Sequence, residues 1–178
     1  MVILDFFKSA LNLKNISRQG WIDKLSIKYP ESVADHSYSM AIMAMVISDL
    51  ENYDSKKILK MVLLHDLAES KIGDFTPDQI NKDEKQKIEN NAFNEIIEQL
   101  PNPIKFEYDK IWKEYQDNVS PESQIVHQID RLEMAMQAKM YQKSGSSKEN
   151  ISTFLETAKL DITHPKLKEI FTKIIEDN

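Results

Sequence analysis

The chain has 178 residues, no cysteine, three glycines and a formal net charge of −6. That length suits one domain able to bury a real core, while the lack of cysteine excludes disulfides, thiolate metal sites, iron–sulfur clusters and a cysteine nucleophile. The acidic balance makes a nucleic-acid polymer a poor partner, and neither a dinucleotide G-x-G-x-x-G loop nor a P-loop occurs.

In chain order, Ile3, Phe6, Phe7, Ala10 and Leu11 recur at helical spacing and predict an amphipathic first helix. This opening carries Asp5 and Lys8 and lacks a signal-peptide core. No uncharged run reaches the length of a membrane span, so the expected location is cytoplasmic. A looser stretch from Asn15 to Pro30 holds Arg18, Gly20 and Trp21. Ser32 is a candidate N-cap for a second helix to about Leu50, and Ser55 for a third with Ile58, Leu59, Val62 and Leu63 on its buried face. The third is expected to end near Gly73, where Gly73-Asp74-Phe75-Thr76-Pro77 breaks the pattern. A polar helix follows from about Lys82 to Leu100, its charged run Lys82 to Glu89 read as a solvated face. Pro101 and Pro103 start another, ending near Asp117. Ser120-Pro121-Glu122 is a strong start signal for a helix to about Lys143. A Ser/Gly loop and two short helices close the chain, the last opening at Pro165. With no strand pattern and no repeat, the chain reads as one all-α domain over residues 1–178.

Without thiols, a metal would need histidine and carboxylate, and there are four histidines, His36, His65, His127 and His164. His65-Asp66 lies inside the apolar run Met61 to Glu69. Burying an unpaired carboxylate costs several kcal/mol. Adjacent helical residues project roughly 100° apart, which lets both reach one ion. Glu69 follows at i+4 and i+3 and projects from the same side. The alternative is a histidine bonded to a nearby carbonyl, with Asp66 paired to a lysine. His36 begins an apolar helix, with Asp35 beside it to orient its ring; the alternative is an exposed capping histidine. Asp130 lies between Ile129 and the apolar Leu132; the alternative is a surface ion pair with Lys139 or Arg131.

The series His36, His65-Asp66, Asp130 resembles the H…HD…D signature of HD-domain metal-dependent phosphohydrolases. Arg18-Gln-Gly-Trp21, Glu31-Ser-Val-Ala-Asp-His36, His65-Asp-Leu-Ala-Glu69, Ile72-Gly-Asp-Phe-Thr-Pro77 and Gln128-Ile-Asp130 narrow it to the HD-domain 5′-deoxynucleotidases. The resemblance implies that His36, His65, Asp66 and Asp130 hold one divalent transition metal, whether Co, Mn, Fe, Zn or Ni. It implies Glu69 as general acid/base, with Asp74 assisting the proton transfer or contacting the sugar. It puts Arg18 at the phosphate, with Trp21 and the loop Asp74, Phe75, Thr76 and Pro77 around the substrate. It also implies a homodimer, for which the methionines from Met134 to Met140 offer apolar surface. In some relatives the aromatic residue directly follows the arginine, whereas here Gln19 does; Trp21 shapes the phosphate site or packs the loop on the core.

The 23 basic residues include only two arginines, Arg18 and Arg131. Arginine offers a planar fork matched to phosphate oxygens. Arg131 reads as a structural ion pair, His127 as a surface residue and His164 as a helix entry. The leading expectation is hydrolysis of the 5′-phosphate of deoxynucleoside monophosphates. The alternatives are another HD-type nucleotide hydrolase, acting on a pyrophosphate or phosphodiester, and a non-catalytic nucleotide-sensing module.

Overall fold

The computed structural model describes residues 2–177. They form α1 (Val2–Asn12), a 3-10 turn (Leu13–Asn15), α2 (Gln19–Leu25), α3 (Val33–Glu51), α4 (Ser55–Leu64), α5 (Glu69–Ile72), α6 (Lys82–Ile97), α7 (Asn102–Asp117), α8 (Pro121–Lys143), α9 (Lys148–Asp161) and α10 (Pro165–Glu176). The all-α expectation holds: extended pairing among the described residues is limited to one antiparallel bridge between Ser17 and Ser32.

Helices α3, α4 and α8 pack on one another at the centre. Met40, Ala44 and Ile47 of α3, Ile58, Met61 and Val62 of α4, and Ile125, Ile129 and Leu132 of α8 are buried between them. Each large aliphatic side chain buried there contributes about 1.5–3 kcal/mol, so this seam fixes how the three helices meet. It therefore fixes the mutual placement of His36, His65-Asp66 and Asp130, which those helices carry. Helices α9 and α10 cover α8, α7 lies against α4, and α5 and α6 pack together beside them.

Local chemistry sets the entry to each site helix. The Ser32 hydroxyl accepts from the Asp35 amide at 3.2 Å, and the Asp35 carboxylate accepts from the Ser32 amide at 2.9 Å, a reciprocal cap at the start of α3. Asp35 is thus spent on the cap and does not orient the His36 ring. The bridge at Ser17 and Ser32 ties Arg18 alongside, its amide donating to the Glu31 carbonyl at 3.1 Å.

The expected single helix from Ser55 to Gly73 is two pieces. Asp54, not Ser55, caps α4, its carboxylate accepting from the Lys57 amide at 3.0 Å. The α-helix stops at Leu64, and bonds from Leu67 N to Leu64 O, Glu69 N to Asp66 O and Ser70 N to Leu67 O tighten the chain into i→i−3 turns. That tightening passes through His65-Asp66 and re-aims Glu69. Gly73 ends α5 at φ 81°, a left-handed conformation for which glycine has no steric penalty.

Two further expectations change. Leu63 is exposed and Leu59 only half-buried, while Met61 takes the core position. On α1, Phe6 packs on the core while Phe7 and Leu11 face outward.

Candidate metal and phosphate site

His36 comes from the first turns of α3, His65 and Asp66 from the turns that directly follow α4, and Asp130 from the middle of α8. Ligand atoms of His36, His65 and Asp66 lie within 4.8 Å of one another. His36 Nε2 is 3.3 Å from Asp130 Oδ1 and 3.8 Å from Asp66 Oδ2, and His65 Nε2 is 3.0 Å from Asp66 Oδ2.

Both imidazoles are held by their other nitrogen. His65 Nδ1 lies 2.6 Å from the Val62 carbonyl, which only accepts, so Nδ1 donates there and Nε2 is turned toward the centre. His36 Nδ1 lies 2.7 Å from Oε2 of the buried Glu133. A carbonyl or carboxylate behind a histidine is the arrangement that orients a metal ligand and raises its basicity. Glu133 was not anticipated from sequence, although it sits three residues after Asp130 in an apolar stretch and so shares its helix face. Behind it stands Glu31, whose Oε1 accepts from the Trp21 indole at 2.8 Å.

Three buried polar atoms at the centre have no hydrogen-bond partner: His36 Nε2, His65 Nε2 and Glu69 Oε2. Each such atom costs about 1–3 kcal/mol if left unsatisfied. Two convergent imidazoles among carboxylates fit a divalent transition metal once deprotonated. The surrounding charge favours a cation here: burial and the facing Arg18 disfavour a charged His36, yet Asp130 and Glu133 outweigh them and raise its pKa to about 9, so a metal would bind in place of a proton. Burial alone would raise Asp66, but His65, Arg18 and His36 hold it well below the usual carboxylate range. Glu69 goes the other way: burial, then Asp66 and Asp74, push it well above its ordinary value, with Lys85 and Arg18 opposing.

Arg18 reaches the same centre, its Nη1 3.4 Å from Asp66 Oδ2. Asp74 approaches from the loop after α5 and accepts from the Gln19 amide at 2.8 Å, tying that loop to the start of α2. The rest of the expected substrate loop divides. Phe75 is half-buried and Pro77 exposed, while the buried Thr76 turns its hydroxyl toward Asp23, 3.4 Å away. Trp21 corrects the expectation of a substrate contact: it is 2% exposed, with its ring against Phe154 and Tyr141. An indole so enclosed reaches the site only through Glu31.

Arg131 donates from Nε to Asp161 at 2.9 Å, and its Nη1 lies 3.4 Å from Asp130 Oδ2, the expected ion pair. His127 is not a surface residue. It is half-buried, stacked on Tyr115 with centroids 4.2 Å apart and bonded to the Tyr115 carbonyl at 3.0 Å. The run Lys82 to Glu89 is only partly solvated, because Lys85 turns inward toward Glu69 and Glu89 pairs with Lys85. Met134 is core, whereas Met136 and Met140 are exposed.

A family profile described as HD domain matches residues 10–171. The 5′-deoxynucleotidase HDDC2 of Dictyostelium discoideum is 37% identical over 98% of this chain and 97% of its own length. The human protein of the same name is 33% identical over 97% of this chain and 84% of its own length. A solved structure from Pyrococcus horikoshii superposes with a TM-score of 0.80 at 31% identity, covering 96% of this chain and 97% of that one. Among the described residues, no helix is long and apolar enough to cross a membrane.

Proposed function

The chain belongs to the HD domain family, and from that premise we propose that it is a metal-dependent phosphohydrolase that converts deoxynucleoside 5′-monophosphates to deoxynucleosides and inorganic phosphate. The observation that carries this reading is the convergence of two orphaned imidazole nitrogens and an orphaned Glu69 oxygen beside Arg18. The substrate class is that named for its relatives, the 5′-deoxynucleotidases.

In this reading His36, His65, Asp66 and Asp130 hold one divalent ion, with Co, Mn, Fe, Zn and Ni all suited to the mixed nitrogen and oxygen donors. When bound, such an ion would supply Lewis acidity toward a phosphoryl oxygen and toward water. Arg18, beside Asp66, binds the remaining phosphoryl oxygens with its planar fork. Water adds to phosphorus as the bond from phosphorus to the 5′-oxygen breaks. Glu69 Oε2 manages the proton, taking it from the water and delivering it to the departing 5′-oxygen. Burial, then Asp66 and Asp74, push its pKa up, which makes it a better proton acceptor than an ordinary carboxylate. Asp74, fixed to the Gln19 amide, assists that transfer or meets the sugar, and Phe75, Thr76 and Pro77 carry the loop around the nucleoside.

The whole chain acts as one domain, since buried residues from α2 through α10 join one apolar cluster. A second copy of this chain as partner and a cytoplasmic location complete the reading.

The test is phosphate release from a panel of ribo- and deoxyribonucleoside monophosphates with Co²⁺ or Mn²⁺. Release from the deoxy series is expected. No release from any nucleotide by metal-loaded protein overturns the hydrolase reading, and equal rates on both series overturn the deoxyribose preference.

A further inference from the structure

Lys85 lies in a charged run, yet its ammonium is turned inward from α6. Its side chain is 29% exposed, against 3% for the Glu69 side chain it faces. Lys85 Nζ donates to the Phe75 carbonyl at 2.9 Å, lies 3.4 Å from Glu89 Oε1 and stands 3.8 Å from Glu69 Oε1. The ammonium thus makes one hydrogen bond, to the Phe75 carbonyl, and has two carboxylates, Glu89 and Glu69, at ion-pair distance. These three groups belong to three separate pieces of the site: the loop after α5, α6 itself, and the first residue of α5.

The two oxygens of Glu69 are therefore unlike. Oε1 faces a cation, while Oε2 is buried without a partner and remains available to the reacting centre. The terminal torsion of a glutamate is broad and nearly two-fold, so little in the side chain itself would choose which oxygen points where. A fixed ammonium on one side makes that choice. The same ammonium binds the Phe75 carbonyl, one residue from Asp74, and so sets the loop relative to Glu69.

We propose that Lys85 is a positioning residue: it aims Glu69 at the reacting phosphate and holds the Gly73–Pro77 loop in register with it. The inference rests on the phosphohydrolase reading for its kinetic consequence and on the loop contact for a consequence independent of activity.

The test compares wild type, Lys85→Met, which keeps the stem and removes the charge, and Lys85→Arg, which keeps a cation. With a deoxynucleoside monophosphate and Mn²⁺, Lys85→Met is expected to lose on the order of tenfold to a hundredfold in kcat, the scale of a misplaced catalytic group. KM and the melting temperature are expected to change little, and Lys85→Arg to recover most of the rate. Amide exchange in residues 73–76 is expected to quicken in Lys85→Met and to return toward wild type in Lys85→Arg. Unchanged kcat and unchanged exchange overturn the proposal. So does a loss confined to KM, or equal damage in both variants with a lowered melting temperature, which marks a packing role. If Lys85→Met does not fold, Glu89→Gln, which loosens the ammonium from its other side, is expected to show a smaller loss of the same pattern. An inactive wild type defeats the functional reading alone, and the exchange measurement still decides whether Lys85 holds the loop.

Discussion

At the scale of single residues, the site depends on what stands behind each imidazole. His65 is held by a carbonyl of its own helix, and His36 by Glu133 from α8. The two supports differ in how easily they can be removed. The Val62 carbonyl is backbone, but Glu133 can be replaced. Glu133→Ala is expected to weaken divalent-metal binding about 10- to 100-fold, the range seen when an outer partner of a ligand histidine is lost. Glu133→Gln, still able to accept from His36 Nδ1, is expected to fall between. Calorimetric titration of the metal-free protein with Mn²⁺ or Co²⁺ reads this directly. An unchanged affinity in Glu133→Ala would show that the His36 ring is oriented by its packing alone. That His36, His65 and Asp66 come together was legible from the resemblance of their spacing, and with no cysteine and four histidines few other constellations competed. Glu133 and Lys85 were not legible, because a glutamate in an apolar stretch and a lysine in a charged run each have an ordinary explanation. Only the tertiary fold shows that one backs a histidine and the other faces Glu69.

At the scale of elements, the helices were legible from their periods and caps. Ser32, Ser120 and Pro165 mark α3, α8 and α10 as expected. The break at Leu64 was not, since the apolar period continues past it and the tighter turns form without proline or glycine. Three of the helices also share an ionic tie remote from the metal cluster. Lys57 of α4 lies 2.5 Å from Glu114 of α7 and 3.0 Å from Glu122 of α8. Burial alone would raise the Glu114 carboxyl, but Lys57 and Ser120, with Lys110 nearby, bring it below its ordinary value of 4.5. A carboxyl depressed in the folded state stabilises the fold above its unfolded pKa, and that contribution is lost as pH falls through the folded value. The affected window therefore lies below about pH 4.5, where the unfolded chain binds the proton more readily. Lys57→Met removes the main cause of the depression. Between pH 5 and pH 3 its melting temperature is expected to fall less steeply than that of wild type. Parallel curves would mean that solvent screens the pair, as it does many partly exposed ones.

At the scale of the whole molecule, α3 poses the remaining question. One face, with Val33, Met40, Ala44 and Ile47, is buried against α4 and α8. The other carries Tyr38, Ile42, Met45 and Val46, all exposed at i, i+4, i+7 and i+8 spacing. A helix that is apolar on both sides is normally covered on both sides. The period alone could not assign this face, because a core stripe and an interface stripe look alike in sequence. The homodimer proposed above would use this stripe: it holds no charge of its own, so a contact made through it adds no local repulsion to that between two chains of net charge −6, and a helix lying across its own symmetry mate forms a self-complementary contact. Val46→Glu would place two like charges at the centre of that contact while leaving the buried face of α3 untouched. Wild type is expected to sediment as a dimer and Val46→Glu as a monomer that keeps its helical signal and its metal affinity. A wild-type mass of one chain overturns the dimer, and a dimeric Val46→Glu moves the contact to another apolar face, such as Leu4, Phe7 and Leu11 of α1.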